Sequence, residues 1–175
     1  AGGTLMIGGR SFDPTGHPRI TVTIDGAVVL DETLTPGPFL RFARRQQDPL
    51  ETRGTYAALT IATMPPAPVA IEQFDASVRR PLLGFGNGWH EQEFNPTTGL
   101  RWRWLSERGE LKIAGSPAVP AGTQRIGPPP NVTLHLAGES PRKYFSRGSR
   151  LVVRARDRVV YDHVLDDDFS IDIPI

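Results

Sequence analysis

Short runs of alternating apolar residues, each closed by Gly, Pro, Asn or Asp, recur along the whole chain and leave little room for any architecture but strands. In Ile20-Thr21-Val22-Thr23-Ile24 the apolar residues fall on every second position, the chain turns at Asp25-Gly26, and apolar residues resume at Val28-Val29-Leu30. That pattern is a β-hairpin, because side chains alternate between faces along a strand and an Asp-Gly pair accepts the positive φ a tight hairpin needs. Similar runs occupy Tyr56 to Ala62, Val69 to Phe74, Leu100 to Leu105, Glu110 to Ile113, Asn131 to Leu136, Leu151 to Ala155, Val159 to Tyr161 and Phe169 to Ile173. With Gly 18 and Pro 17 among 175 residues, one residue in five breaks regular structure, against roughly 12% in an average chain. No stretch carries a capped apolar stripe at helical spacing for three turns; Phe39 to Gln47, after Pro36 and Pro38, is the best candidate for a short helix or turn. The expected fold class is all-β, an antiparallel sandwich of the jelly-roll or galactose-binding-like type.

The two ends of the chain resemble one another. Thr4, Leu5 and Gly9 match Thr133, Leu134 and Gly138. In the hairpins, Ile20, Val22, Val28, Val29, Asp31 and Leu34 fall on Leu151, Val153, Val159, Val160, Asp162 and Leu165, and Phe39 falls on Phe169. Alternation alone does not dictate the matched Asp, Leu and Phe, so an internal repeat of about 130 residues is expected. It divides the chain into residues 1–78, the later part of a first sandwich, and 79–175, the earlier part of a second, with Pro65-Pro66-Ala67-Pro68 and Arg79-Arg80-Pro81 near the junction; the two parts are compatible with packing as one unit. The second copy then has an exposed strand edge, to be covered by another copy of the chain or by a missing part of a longer parent. The opening Ala1-Gly2-Gly3, without an initiator Met or a targeting segment, also suggests a fragment.

Charge narrows the partners. Lys+Arg 20 against Asp+Glu 19 gives a net charge of +1, so no overall field draws the chain to nucleic acid or to an anionic membrane. No run of about 18 apolar residues offers a membrane span. The absence of cysteine removes disulfides, thiolate catalysis and zinc–thiolate or iron–sulfur sites. The histidines, His17, His90, His135 and His163, lack metal-ligand spacing, and no metal or cofactor is expected. Asp162 and Asp166-Asp167-Asp168 offer carboxylates to calcium but lack the spacing of a calcium loop, which reads as a solvated turn. Arg142-Lys143-Tyr144-Phe145 combines cations and aromatic rings suited to stacking on a base or a sugar.

The densest aromatic and polar segment is Gly84-Phe85-Gly86-Asn87-Gly88-Trp89-His90-Glu91-Gln92-Glu93-Phe94, followed after Asn95-Pro96-Thr97-Thr98-Gly99 by Leu100-Arg101-Trp102-Arg103-Trp104-Leu105. It holds all three tryptophans. A hairpin is expected, with Trp89, Glu91 and Glu93 on one face, His90, Gln92 and Phe94 on the other, and Glu93 opposite Arg101 or Arg103. Aromatic rings flanked by Glu, Arg and His are the equipment of a carbohydrate site, and the expected ligand-binding residues are Trp89, His90, Glu91, Glu93, Arg101, Trp102, Arg103 and Trp104. Two other readings stand beside it: tryptophans filling a core, and Glu91 with Glu93 as the acid–base pair of a glycosidase. There is no Gly-x-Ser-x-Gly elbow and no phosphate loop; the expectation is a non-catalytic chain.

The order Gly88-Trp89-His90-x-x-Glu93, then Arg101-Trp102 or Arg103-Trp104, resembles the extracytoplasmic β-sandwich modules attached to bacterial membrane glycosyltransferases and related envelope proteins. The resemblance covers about residues 84–175, and the first 75 through the repeat. It implies a jelly-roll-like module outside the inner membrane, facing carbohydrate or envelope glycan, or serving as a structural spacer of a larger enzyme. Because this chain has no membrane span, glycosyltransferase activity itself is not implied.

Overall fold

A computed structural model of the chain describes residues 3–45, 57–77, 80–114, 132–140, 142 and 145–175. Fourteen strands and no α-helix occur among them. The chain divides into two compact units, Ala1–Thr123 and Gln124–Ile175.

The first unit contains β1 (Gly3–Ser11), β2 (Arg19–Ile24), β3 (Ala27–Thr33), β4 (Gly37–Arg45), β5 (Leu59–Met64), β6 (Val69–Ser77), β7 (Leu82–Phe85), β8 (Trp89–Phe94), β9 (Arg101–Leu105) and β10 (Leu111–Ala114). Two three-stranded antiparallel sheets, β4-β1-β6 and β3-β2-β5, form a sandwich. Leu5 and Ile7 of β1 meet Ile20 and Val22 of β2 between them, with Leu30, Leu34, Phe39 and Ala43 completing the core and Ile61, Val69 and Ala76 packed at its margin. The Asp25-Gly26 turn has positive φ at both residues, 48° and 79°, as the sequence requires of a tight hairpin. The Asp25 carboxylate accepts from Ala58 N at 2.8 Å while Asp25 N donates to Ala58 O at 2.9 Å, and so fixes the entry to β5.

The sandwich has a third layer. Met6 and Leu40 point to the outer side of the β4-β1-β6 sheet and enclose Leu82 of β7, which is fully buried, with Phe42 and Ala114 beside them. Gly84 makes this approach possible: a Cβ there would lie 2.7 Å from Leu40 Cδ2 and 2.8 Å from Met6 Sδ. β7 pairs with β10, and the Gln73 side chain of β6 serves β7 as a neighbouring strand would, donating to Phe85 O at 2.9 Å and accepting from Phe85 N at 2.8 Å.

This layering corrects one expectation. Residues 39–45 of the stretch Phe39 to Gln47 are not a helix or turn but strand β4, paired with β1 from Gly3↔Arg45 to Ser11↔Gly37; Gln46 and Gln47 lie outside the described residues, as do Tyr56, Arg79 and Asn131. A sheet covered on both faces buries neighbouring positions of one strand alike, so alternation vanishes where burial is greatest. The compact units also divide the chain elsewhere than at residue 78: β7 to β10 belong with β1 to β6, and Pro65 to Pro68 form the crossover from β5 in one sheet to β6 in the other.

The second unit contains β11 (Thr133–Gly138), β12 (Ser149–Ala155), β13 (Arg158–Leu165) and β14 (Phe169–Pro174). They form two antiparallel pairs, β11-β14 and β12-β13. Leu134 and Ile173, directly opposite one another, are its buried hydrophobic residues among those described.

Candidate functional site

The Trp-rich segment forms the hairpin β8-β9 in the first unit. The loop begins at Asn95, whose side chain accepts from Thr97 N at 2.9 Å and Thr98 N at 3.3 Å, an Asx-type turn that explains the Asn-Pro-Thr-Thr-Gly sequence. Gly99 closes it at φ +72° and donates to Asn95 O at 2.8 Å.

The register differs from that expected. Trp89 pairs with Leu105, Gln92 with Arg103, Glu93 with Trp102 and Phe94 with Arg101, and a bulge lies between Trp89 and Gln92. Directly opposed residues share a face. Glu93 therefore joins Trp102 and Trp104 on one face, while Trp89, Gln92, Phe94, Arg101, Arg103 and Leu105 share the other. Glu93 is opposite neither arginine, and the regular alternation that put Trp89 and Glu93 on one side is broken by the extra residue.

Arg103 and Trp89 turn into the fold, while Gln92, Phe94, Arg101 and Leu105 of the same face stay exposed. The Arg103 side chain is 7% exposed and has Nη1 3.5 Å from Glu72 Oε2 of β6; the same nitrogen donates to His90 O at 2.9 Å. Its guanidinium lies 4.9 Å from the centre of the Phe85 ring, and Phe85 meets Trp89 edge-on at 5.1 Å and 79°. Arg10 of β1 stands 3.6 Å from both Glu72 and Glu91. The series Glu91–Arg10–Glu72–Arg103 alternates in charge; Arg10, Glu72 and Arg103 are partly buried, and Glu91 stands exposed at its outer end. Arg10 Nε, Glu72 Oε1 and Trp89 Nε1 are shielded from solvent without a hydrogen-bond partner, and the gap among them, about 10 Å³, is the size of a single water. No sugar fits there. Trp89, Arg103 and, through Arg10, Glu91 are thus structural members of this network.

The opposite face is open. Trp104 is 51% exposed, Trp102 is half-buried one alternation away, and exposed Glu93 lies directly across from Trp102. At the hairpin margin His90 Nε2 lies 3.1 Å from Ser106 Oγ, and Arg101 covers the exposed Phe94 ring at 4.5 Å. Of the eight expected residues, Glu93, Trp102 and Trp104 share one face, Arg101 lies exposed on the other, Trp89 and Arg103 are drawn into the fold, and His90 and the exposed Glu91 lie in the bulge. Sequence reasoning missed Arg10, Glu72 and Gln73, which are remote along the chain and carry no local signal.

In the second unit the acidic positions are engaged by protein groups: Asp162 by Arg150 at 2.6 and 2.7 Å, Asp166 by Arg142 at 2.6 Å, and Asp168 by Ser140 N at 3.1 Å. The Arg150 hydrogen bonds hold the Asp162 carboxyl below its ordinary pKa, against an opposing desolvation. Arg19 does the same for Asp31 in the first unit. Lys143 and Tyr144 lie outside the described residues, and Phe145 is exposed.

No protein-family model matches the chain, and no curated protein or solved structure is similar to it. The class defined by structure alone is an all-β, sandwich-like protein with an exposed aromatic hairpin. No helix among the described residues is long and apolar enough to cross a membrane.

Proposed function

We propose that the first unit is a non-catalytic carbohydrate-binding module of the jelly-roll or galactose-binding-like type, acting on envelope glycan outside the bacterial cytoplasm. The observation that carries this reading is Trp104, left half in water near the end of β9. An aromatic side chain offers about 200 Å² of surface, so leaving half of it exposed forgoes about 2.5 kcal/mol of burial. A sugar ring laid on Trp104 and Trp102 recovers part of that, with its apolar C–H face on the indoles and its hydroxyls within reach of Glu93. The two rings are attached about 7 Å apart along β9, a flat strip rather than a pocket. Weak, sequence-tolerant binding of a polysaccharide suits such a surface better than catalysis. Glu91 lies 3.6 Å from Arg10 and the bulge interrupts the alternation between it and Glu93, which supports a binding rather than a glycosidase reading. The motif likeness to glycosyltransferase-associated modules supports the same location and partner.

A glycan array with the wild-type chain and Trp104→Ala tests this. Binding at millimolar or better affinity, reduced about tenfold in the variant, or about 1.4 kcal/mol, with an unchanged melting temperature, is the expected result. No binding by the wild type at millimolar concentrations would leave the structural spacer as the better reading.

A further inference from the structure

We propose that the face carrying Glu93, Trp102 and Trp104 takes glycans with free, protonated amino groups, the indoles bearing the sugar rings and Glu93 the ammonium. This rests on reading the hairpin as a carbohydrate site and adds to it the class of sugar.

The register of the hairpin sorts the charges. Glu93 stands directly opposite Trp102, and Trp104 follows two residues along β9 on the same side. Gln92 opposes Arg103 and Phe94 opposes Arg101, so both arginines of β9 belong to the other side. Each is occupied there. Arg101 covers the Phe94 ring at 4.5 Å, and Arg103, 7% exposed, donates to His90 O at 2.9 Å and lies 3.5 Å from Glu72. Glu91, in the bulge, stands 3.6 Å from Arg10. Glu93 is exposed and forms neither a hydrogen bond nor an ion pair with any described residue. The regularly paired residues of β8 and β9 thus give this face two indoles, one uncompensated carboxylate and no cation.

That combination discriminates among sugars. A neutral sugar stacks its C–H face on an indole and gains burial alone. A protonated amine gains in addition from the negative face of the tryptophan ring, the best aromatic partner for a cation, and from the carboxylate beside it. An acidic sugar brings a like charge up to Glu93. The two indoles are attached about 7 Å apart along the strand, so a sugar on Trp102 sets its amine beside Glu93 while the next sugar of the chain continues towards Trp104. Because Glu93 and Trp104 are open to water, the charge-dependent part of the affinity is modest and screened by salt.

Isothermal titration of the full chain tests this, with trimers of glucosamine, N-acetylglucosamine and galacturonic acid, and with trilysine, at low ionic strength and a pH at which the amines are protonated and Glu93 ionised. The glucosamine trimer is expected to bind about tenfold more tightly than the N-acetylated trimer, and the acidic trimer least. Added salt should shrink that advantage. Glu93→Gln should lower the glucosamine trimer to the level of the N-acetylated one, leave the latter unchanged and keep the melting temperature of the wild type. If the N-acetylated or acidic trimer binds the wild type as tightly as the glucosamine trimer, or if Glu93→Gln leaves the advantage in place, selection for amines is wrong while the carbohydrate site stands. Trilysine binding as tightly as the glucosamine trimer would make the strip a site for basic polypeptide and overturn the proposal. If no trimer binds the wild type at millimolar concentrations, the carbohydrate reading fails and this inference with it.

Discussion

Leu82→Ala tests whether β7 to β10 are part of the first unit's fold or a separate body. Leu82 is enclosed by Met6 and Leu40 and has no contact with solvent. Truncation removes three carbons, worth about 0.8 kcal/mol each, or about 2.4 kcal/mol in transfer. The surrounding side chains stand on paired strands and collapse only in part, and a residual cavity of about 50 Å³ adds about 1 kcal/mol. The expected loss is about 3.5 kcal/mol. The three tryptophans all lie on β8 and β9, so their fluorescence in a urea titration reports this unit alone, and far-ultraviolet circular dichroism provides the second probe. Leu83→Ala, one position along on the 41% exposed side, is the control and should cost less than about 1.5 kcal/mol. The loss should appear as a lower midpoint at unchanged slope. A Leu82→Ala loss below about 1 kcal/mol, or no larger than that of Leu83→Ala, would refute the three-layer packing.

Glu72→Gln removes the carboxylate between Arg10 and Arg103 and leaves Arg103 at 7% exposure without a counter-charge; because the ion pairs are 3.5–3.6 Å long and Glu72 keeps some solvent contact, a loss of about 1–3 kcal/mol is expected in thermal or urea unfolding, and Arg103→Met in the same background should recover part of it. Asp31 and Asp162 have lowered folded-state pKa values, so each contributes stability that is present above the unfolded aspartate value, about 3.9, and is lost as pH falls through the folded value. Carboxyl-carbon NMR titration should place both midpoints below that value, and Asp162→Asn should flatten the acid limb of the stability curve; normal midpoints would mean that the arginine pairs do not persist in solution.

The legible parts of the fold were those with one face in a core and one in water. β2 and β3 announce themselves by alternation and by Asp25-Gly26, and β12 and β13 follow by likeness to them. β4 was hidden because Phe39, Leu40 and Ala43 are buried on both faces of its sheet, so that no period of two survives; β1 shares that condition from Thr4 to Gly9. In the hairpin β8-β9 the residues and the turn were readable, but the register was not: the Asn95–Leu100 closure of the loop sets Glu93 against Trp102, and the bulge beyond it turns Trp89 to the face opposite Glu93. The ionic series beneath it joins residues 10, 72, 91 and 103, whose proximity exists only after the sandwich has formed.

The central place of β1 also sets an order of events during synthesis. It leaves the ribosome before all its partners, so Thr4 must await Arg44 on one side and Ser77 on the other, and its outer face must await Leu82. Pairings that span so much chain close slowly, because loop entropy is lost before any contact is gained. Until β4 has emerged both edges of Leu5-Met6-Ile7 are uncovered, one edge stays open until β6 and the outer face until Leu82, the state in which chains of this kind associate with one another. Slowing translation beyond residue 45 should therefore lower the soluble yield, and a chaperone that shields β1 should restore it.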